Sequence, residues 1–169
     1  MSPTFTSLGI RNYRLWFTGG FVSNIGTWIG RVGQDWLVLT VLTNGSATAL
    51  GTVTGLQFLP FLLLAPWTGL IADRFAKRRV LLLTQSMLAL NSLVLGVLAV
   101  TGSAQLWHVY VAALLQGVTT AVDNPARQAF VAEMVPDDKI ANAVALNSAS
   151  FNSGRLVGPG ANVRVAPAV

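Results

Sequence analysis

The chain has 169 residues, of which 53% are hydrophobic and 10% are charged, and it contains no cysteine. Soluble domains carry about 25% charged residues because their surface faces water, so the composition excludes a soluble enzyme as the starting hypothesis. The absence of cysteine excludes a disulfide framework and a thiolate metal site. Lys and Arg number 11 against 6 Asp and Glu, and the positions of these charges decide what the basic excess means.

Two long stretches of the chain lack Asp, Glu, Lys and Arg altogether. They cover residues 36–72 and 80–122, which are 37 and 43 residues long. A bilayer crossing needs about 20 apolar residues, so each stretch is long enough for more than one crossing. The sequence therefore predicts an all-α polytopic membrane protein.

Four transmembrane helices and an incomplete fifth are predicted in chain order. The four spans cover residues 15–42, 48–72, 80–100 and 106–122. The fourth span is expected to end before Asp123-Asn124-Pro125, and a polar connection of helical composition is expected to follow as far as Asp138. A fifth helix is expected over 141–160, but no long apolar run completes that crossing.

The distribution of basic residues predicts the orientation in the membrane, because Lys and Arg are enriched on the cytoplasmic side. The connections near Asn44 and Ser103 carry no basic residue, whereas the other side receives Arg11, Arg14, Arg74, Lys77, Arg78, Arg79, Arg127 and Lys139. Residues 1–14 are thus predicted to be a cytoplasmic segment, 15–160 a partial bundle and 161–169 an aberrant or truncated tail. Since topology explains the basic excess, no nucleic-acid partner is expected; the expected partner is the lipid bilayer of the cell (inner) membrane.

Glycines recur at small-residue spacing in the first and fifth predicted helices. Such residues allow neighbouring membrane helices to approach closely, so a packing role is predicted, with sliding of these faces during transport as the functional alternative. The residues are Gly19, Gly26, Gly30, Gly33, Gly154, Gly158 and the adjoining Pro159.

Arg31 and Asp35 are charged residues inside the first predicted span. They are four residues apart and therefore share a helix face. Ionisable groups in a membrane face a bundle interior or an aqueous cavity, so a coupling or cavity role competes with a structural ion pair near the outer interface. The intramembrane amides of Gln57, Gln85, Asn91 and Gln116 leave two alternatives open, hydrogen bonds between helices or a polar cavity lining.

The segment Gly69-Leu70-Ile71-Ala72-Asp73-Arg74-Phe75-Ala76-Lys77-Arg78-Arg79 resembles the signature loop between helices two and three of the major facilitator superfamily. Asp73 ends the second span, which is the unfavourable end of a helix dipole for an anion, so it requires a compensating partner. Three further stretches resemble the enterobactin-exporter-like branch: Arg11-Asn12-Tyr13-Arg14-Leu15-Trp16, Trp36-Leu37-Val38-Leu39 and Asn124-Pro125-Ala126-Arg127-Gln128-Ala129-Phe130.

This resemblance implies a secondary transporter that exports a small molecule, commonly by proton exchange, with no cofactor beyond the proton gradient. The implied fold has twelve helices in two halves with the substrate between them, so this chain corresponds to most of the N-terminal half and lacks the C-terminal half. The residues implied for the gating loop are Gly69, Asp73, Arg74, Lys77, Arg78 and Arg79. Coupling or cavity residues are expected among Arg31, Asp35, Gln57, Gln116 and Arg155.

Two departures from the family pattern affect these assignments. Gln116-Gly117 resembles the motif of the fourth helix, but Ala113 stands where an arginine is expected, so a proton-relay role is not carried over. Gly154-Arg155-Leu156-Val157-Gly158-Pro159 resembles the antiporter motif of the fifth helix, but Asn162 and Val163 replace its two glycines. A fragment of this kind is expected not to transport alone. The alternatives are a non-transporting membrane scaffold, a non-functional remnant, or a transporter assembled from two such chains.

Overall fold

In the computed structural model of the chain, residues 3–162 are described, with side chains for 6–69 and 74–153. Every regular element in this part of the chain is helical. Five α-helices follow one another: α1 Arg11–Trp36, α2 Ala47–Arg74, α3 Lys77–Val100, α4 Leu106–Met134 and α5 Ile140–Asn162. A 3₁₀-helix over Pro3–Gly9 precedes α1, a π-helix over Leu37–Leu42 extends it, and a 3₁₀-helix over Asp137–Lys139 precedes α5. The predicted all-α fold is confirmed.

The predicted spans agree with the helices at most of their boundaries. The first span ends at Leu42 in both, although its last turns are the wider π-helix. α1 begins at Arg11, earlier than the predicted span. Its first turn contains Tyr13, which is fully buried and contacts the start of α5, and this contact stabilises the turn. The turn between the first two spans contains Asn44 and Gly45 at φ values of 50° and 93°, where glycine is favoured because it has no Cβ.

The fourth helix extends beyond residue 122, the predicted end of the span, in agreement with the helical composition expected for the connection that follows. α4 continues through Asp123-Asn124-Pro125 to Met134, with Pro125 inside the helix. A proline removes one backbone hydrogen bond, but Asp123, two residues before it, accepts hydrogen bonds from α3 and from Arg127 one turn further on. These side-chain hydrogen bonds stabilise the helix on both sides of the proline.

Two of the described helical stretches, Ala47–Gly69 and Lys77–Val100, are long and apolar enough to cross a membrane by length and composition. Many of their large apolar side chains are exposed: Leu62 is 74% exposed and Leu93 64% exposed. Exposed leucines of this density suit contact with lipid rather than water. α1 and α4 are similar in length, at 26 and 29 residues. Their charged residues make these two helices less apolar.

The chain divides into two compact units, and α1 and α4 each contribute to both. The first contains residues up to Gly33 and those from Phe130 onward. Its core consists of Tyr13, Val131, Val135, Ala143 and Leu146. The second covers Gln34–Ala129, and its core consists of Val38, Ala49, Val53, Val109 and Ala113. The second core consists of valine and alanine only, and such compact side chains suit closely approaching membrane helices.

Gly19, Gly26 and Gly33 of the first span do not form a close helix contact with any described residue. Gly19, Gly26, Gly30 and Gly33 are exposed, and a Cβ built on Gly19, Gly26 or Gly33 meets no atom within 4 Å. The close approach occurs at Gly117 in α4 instead, where a Cβ would lie 2.6 Å from the Gln57 carbonyl oxygen and 2.9 Å from that of Leu56. Gly117 therefore sets the distance between α2 and α4.

Substituting Gly117 by Ala should separate these two helices. The added methyl group would meet fixed backbone carbonyls in α2, and overpacking of this kind costs about 1–3 kcal/mol. Unfolding in detergent with increasing dodecyl sulfate measures the loss of stability. Gly96→Ala in α3, where a Cβ meets no atom within 4 Å, is the matched control; equal stability of the two variants would contradict the assigned contact.

Candidate functional site

Asp123 lies at the centre of a polar cluster between α3 and α4. Its side chain is 4% exposed. The Thr84 hydroxyl and the Gln85 amide both donate to its Oδ1, at 2.6 and 2.8 Å. Two helices that are apolar elsewhere are thus joined by a carboxylate that accepts hydrogen bonds from the opposite helix.

Arg127 completes this cluster from one turn further along α4. Its Nε and Nη2 atoms donate to Asp123 Oδ2 at 3.1 and 3.0 Å. The two side chains are 13% and 5% exposed, for Arg127 and Asp123 respectively. Burial of an ion is costly unless it is paired and hydrogen-bonded, and here each carboxylate oxygen has donors. The cluster Thr84–Gln85–Asp123–Arg127 therefore compensates its own desolvation and joins α3 to α4.

The intramembrane amides bond between helices. Gln57 Nε2 in α2 donates to Gln116 Oε1 in α4 at 3.2 Å, next to the close approach at Gly117. Asn91 Nδ2 in α3 donates to the Ala112 carbonyl oxygen in α4 at 3.1 Å. Residue numbers increase from Thr84 to Asn91 along α3, whereas those of their partners decrease from Asp123 to Ala112 along α4. The two helices are therefore antiparallel, as expected for consecutive crossings.

Arg31 and Asp35 both lie on α1, one helical turn apart. The Arg31 guanidinium carbon is 5.3 Å from the centroid of the Trp28 ring, a distance typical of a cation–π contact. Gln34, beside Asp35, is 5% exposed, and its Nε2 is buried without a hydrogen-bond partner among the described residues. Buried polar atoms normally have a partner in protein or water. The Gln34 amide therefore indicates that this position of α1 requires a polar environment.

The gating-loop residues are distributed over the end of α2 and the start of α3. Gly69, Arg74, Arg78 and Arg79 are exposed, and Lys77 is half-buried. Asp73 belongs to the last turn of α2, but its side chain lies outside the described residues. The same holds for the side chains of Gly154, Arg155, Gly158 and Pro159 in α5, and residues 163–169 lie outside the described part of the chain altogether.

Metal-binding geometry is not present in the part of the chain that the structure describes: no group of three or more His, Cys, Asp or Glu side chains could hold an ion there. The Asp123 carboxylate is occupied by three donor side chains instead.

The sequence had not singled out Asp123, Thr84 or Arg127 as site residues. Asp123 marks only the predicted end of the fourth span, and Arg127 contributes to the charge asymmetry and to one family-like stretch. The i, i+4 spacing of Asp123 and Arg127, which permits an ion pair on one helix face, is the signal that was available. Thr84 carried no signal, since its partner lies 39 residues away in the chain.

Closely packed helices with exposed apolar surfaces, joined by buried polar side chains, define a polytopic α-helical membrane protein. A family model described as transmembrane secretion effector matches residues 2–166 of this chain. The chain belongs to this transmembrane secretion effector family of the major facilitator superfamily.

Relatives with curated names agree with this family. The chain is 35% identical over 147 residues to the staphyloferrin A transporter of Staphylococcus aureus, covering 86% of this chain and 36% of that protein. It is 32% identical over 119 residues to the class B tetracycline resistance protein of Escherichia coli, covering 70% and 28%. It is 24% identical over 116 residues to macrolide efflux protein A of Streptococcus pyogenes, covering 69% and 29%. No solved structure matches the chain.

The chain spans about a third of the length of the curated relatives it matches. This agrees with the expectation of a segment corresponding to part of a longer transporter.

Removing the Asp123 carboxylate should destabilise the α3–α4 contact strongly. In Asp123→Ala the Arg127 guanidinium loses its counter-ion while largely buried, and breaking a buried pair from one side costs about 3–5 kcal/mol. The double variant Asp123→Leu/Arg127→Leu removes both charges and should be less destabilised than the single one.

The free energy of unfolding in detergent measures both variants, with Asp138→Ala as the control because Asp138 is exposed. A double variant that is less stable than Asp123→Ala would contradict charge compensation within the cluster.

Proposed function

We propose that this chain forms part of a secondary transporter that exports a small molecule across the bacterial cell (inner) membrane in exchange for protons. The observation that carries the proposal is the match of nearly the whole chain to a transmembrane secretion effector family. The names of the relatives, which include the staphyloferrin A transporter and two resistance or efflux proteins, support export of a small organic molecule. A transporter of this kind moves its substrate without changing it chemically, so the proposal includes no enzymatic activity.

The proposed orientation places residues 1–14 and the α2–α3 turn in the cytoplasm. Arg74, Arg78 and Arg79 are exposed at that turn, and basic residues are retained on the cytoplasmic side. There they also attract the anionic headgroups of the inner leaflet.

Asp73 is proposed to act in a cytoplasmic gate together with Arg74, Lys77, Arg78 and Arg79. An anion at the end of α2 is stabilised by cations or by the N-terminus of another helix. In a complete transporter the second half would supply such a partner. The Asp123–Arg127 cluster supports this gate by holding α3, which begins at the gating loop, against α4.

Asp35 with Arg31 is the proposed coupling pair, and Gln57, Gln116 and Arg155 are proposed cavity or coupling residues. A carboxylate that gains and loses a proton changes the charge of α1 and with it the stability of each conformation. The hydrogen bond between Gln57 and Gln116 favours a packing contribution from that pair. No cofactor is proposed, because the proton gradient supplies the driving force.

Transport is best tested in a chimera, because the chain alone is expected to lack one wall of the substrate cavity. Residues 1–160 replace the matching segment of the staphyloferrin A transporter, and everted membrane vesicles are energised and offered staphyloferrin A, tetracycline or a macrolide in turn. An acridine dye reports substrate-dependent proton movement, while labelled substrate reports uptake into the vesicles. The chimera should transport at least one compound, and the 169-residue chain alone should transport none.

Within an active chimera, Asp35→Asn should abolish substrate-dependent proton movement, because the amide cannot exchange a proton. Lys77→Ala should retain most of the activity, since neighbouring arginines keep the turn basic. Unchanged proton movement in Asp35→Asn would contradict the coupling role. A chimera that reaches the membrane folded but moves none of the compounds would favour the scaffold alternative.

A further inference from the structure

The contacts between α1 and α5 occur at two separate levels. Near the start of both helices, Ser7 and Tyr13 bond to residues 142 and 143. Further along, Asn24 bonds to Ser150. Residue numbers increase together on the two partners, so α1 and α5 run in the same direction, and the contacts at both levels belong to one register.

The first level is formed by Ser7, which lies in the N-terminal 3₁₀-helix. Ser7 is fully buried, at 0% exposure. Its hydroxyl donates to Asn142 Oδ1 at 2.8 Å, and its backbone N–H donates to the same oxygen at 3.2 Å. The Ser7 Oγ also lies 3.3 Å from the Lys139 carbonyl oxygen. One amide oxygen on the first turn of α5 thus receives two donors from a single residue that precedes α1.

Tyr13 extends this first level by one turn. Its hydroxyl donates to the Ala143 carbonyl oxygen at 2.9 Å. Tyr13 lies before the predicted span that begins at residue 15, and burial raises its pKa to about 12. The phenol therefore keeps its proton at neutral pH and remains a donor.

The second level lies inside the predicted spans. Asn24 Nδ2 donates to Ser150 Oγ at 3.2 Å, and both side chains are buried. One turn further along, the Trp28 and Phe151 rings meet edge to face with centroids 5.6 Å apart. Sliding α5 along α1 by one turn, about 5.4 Å, would break all of these contacts together, because each requires its own partner.

We propose that Ser7 and Asn142 are positioning residues that fix the register of α5 against α1. The register itself does not depend on any transport activity.

The absence of cysteine from the chain makes crosslinking a clean test. Asn24→Cys and Ser150→Cys are introduced together, and a short bis-methanethiosulfonate reagent joins them in native membranes of cells expressing the full chain. The crosslinked fraction is measured by protection from a maleimide-polyethylene glycol gel shift. These substitutions remove the second-level hydrogen bond, so the register then depends more strongly on Ser7 and Asn142.

Asn142→Leu in this background should lower the ratio of crosslinked to uncrosslinked chain about fivefold, the change expected from losing one net hydrogen bond. Asn142→Asp keeps the acceptor oxygen and should retain the crosslink. Asn152→Leu is the matched control, because Asn152 is exposed and its amide donates within α5 to the Ser148 carbonyl oxygen. Equal crosslinking in Asn142→Leu and Asn152→Leu would overturn the proposal.

If Asn142→Leu does not accumulate in the membrane, Ser7→Ala provides the same comparison, because it removes the hydroxyl donor and keeps the backbone N–H. Thr18→Ala is then the control, since the exposed Thr18 hydroxyl bonds only within α1, to the Arg14 and Leu15 carbonyl oxygens. Crosslinking in Ser7→Ala equal to that in Thr18→Ala would overturn the proposal.

Discussion

The constraint on which this structure depends is the lack of water in the interior of a bilayer. A polar side chain there must find its partner in protein, since lipid tails offer none. Apolar burial contributes little between helices, because lipid is as apolar as leucine. The described helices follow this rule: many of their leucines are exposed, and their buried side chains are mostly small or polar.

Helix contacts in both units accordingly include polar pairs beside their apolar cores. In the second unit, Asp123 receives donors from α3, and Gln116 receives one from α2. In the first unit, Asn142 and Ser150 receive donors from the N-terminal segment and α1. Such bonds are directional, so they specify one register where apolar packing would tolerate several. A protein that changes conformation needs contacts of this kind to keep some helix pairs fixed while others move.

Much of the fold could be predicted from the sequence because charge-free runs and basic turns have a direct physical meaning in a membrane. The four long helices and the fifth follow from that pattern. The continuity of α4 across Asp-Asn-Pro could not be predicted, because this sequence is a local helix-end signal and the bonds that override it come from α3. Local composition does not reveal a partner 38 or 39 residues away.

The glycines also show that local sequence patterns do not identify the partner of a contact. Spacing identified a smooth face on α1, yet the close contact belongs to Gly117, which is determined by the position of the α2 carbonyl groups. The amides were ambiguous for a similar reason, since an isolated Gln is equally suited to a cavity or to another Gln. The resemblance to a transporter family supplied what physical patterning alone could not, namely the family to which this chain belongs.

The most direct test of the central claim, that interhelical polar bonds hold this protein together, is a double-mutant cycle on Gln57 and Gln116 in bilayer discs. Gln57→Leu, Gln116→Leu and the double variant are compared with the original chain by their free energies of unfolding. Because this pair carries no charge, the coupling energy reports the hydrogen bond and its packing. The account predicts a coupling of about 0.6 kcal/mol, the average measured for interhelical hydrogen bonds in membranes, where the largest value is about 1.7 kcal/mol. Strictly additive losses would contradict it.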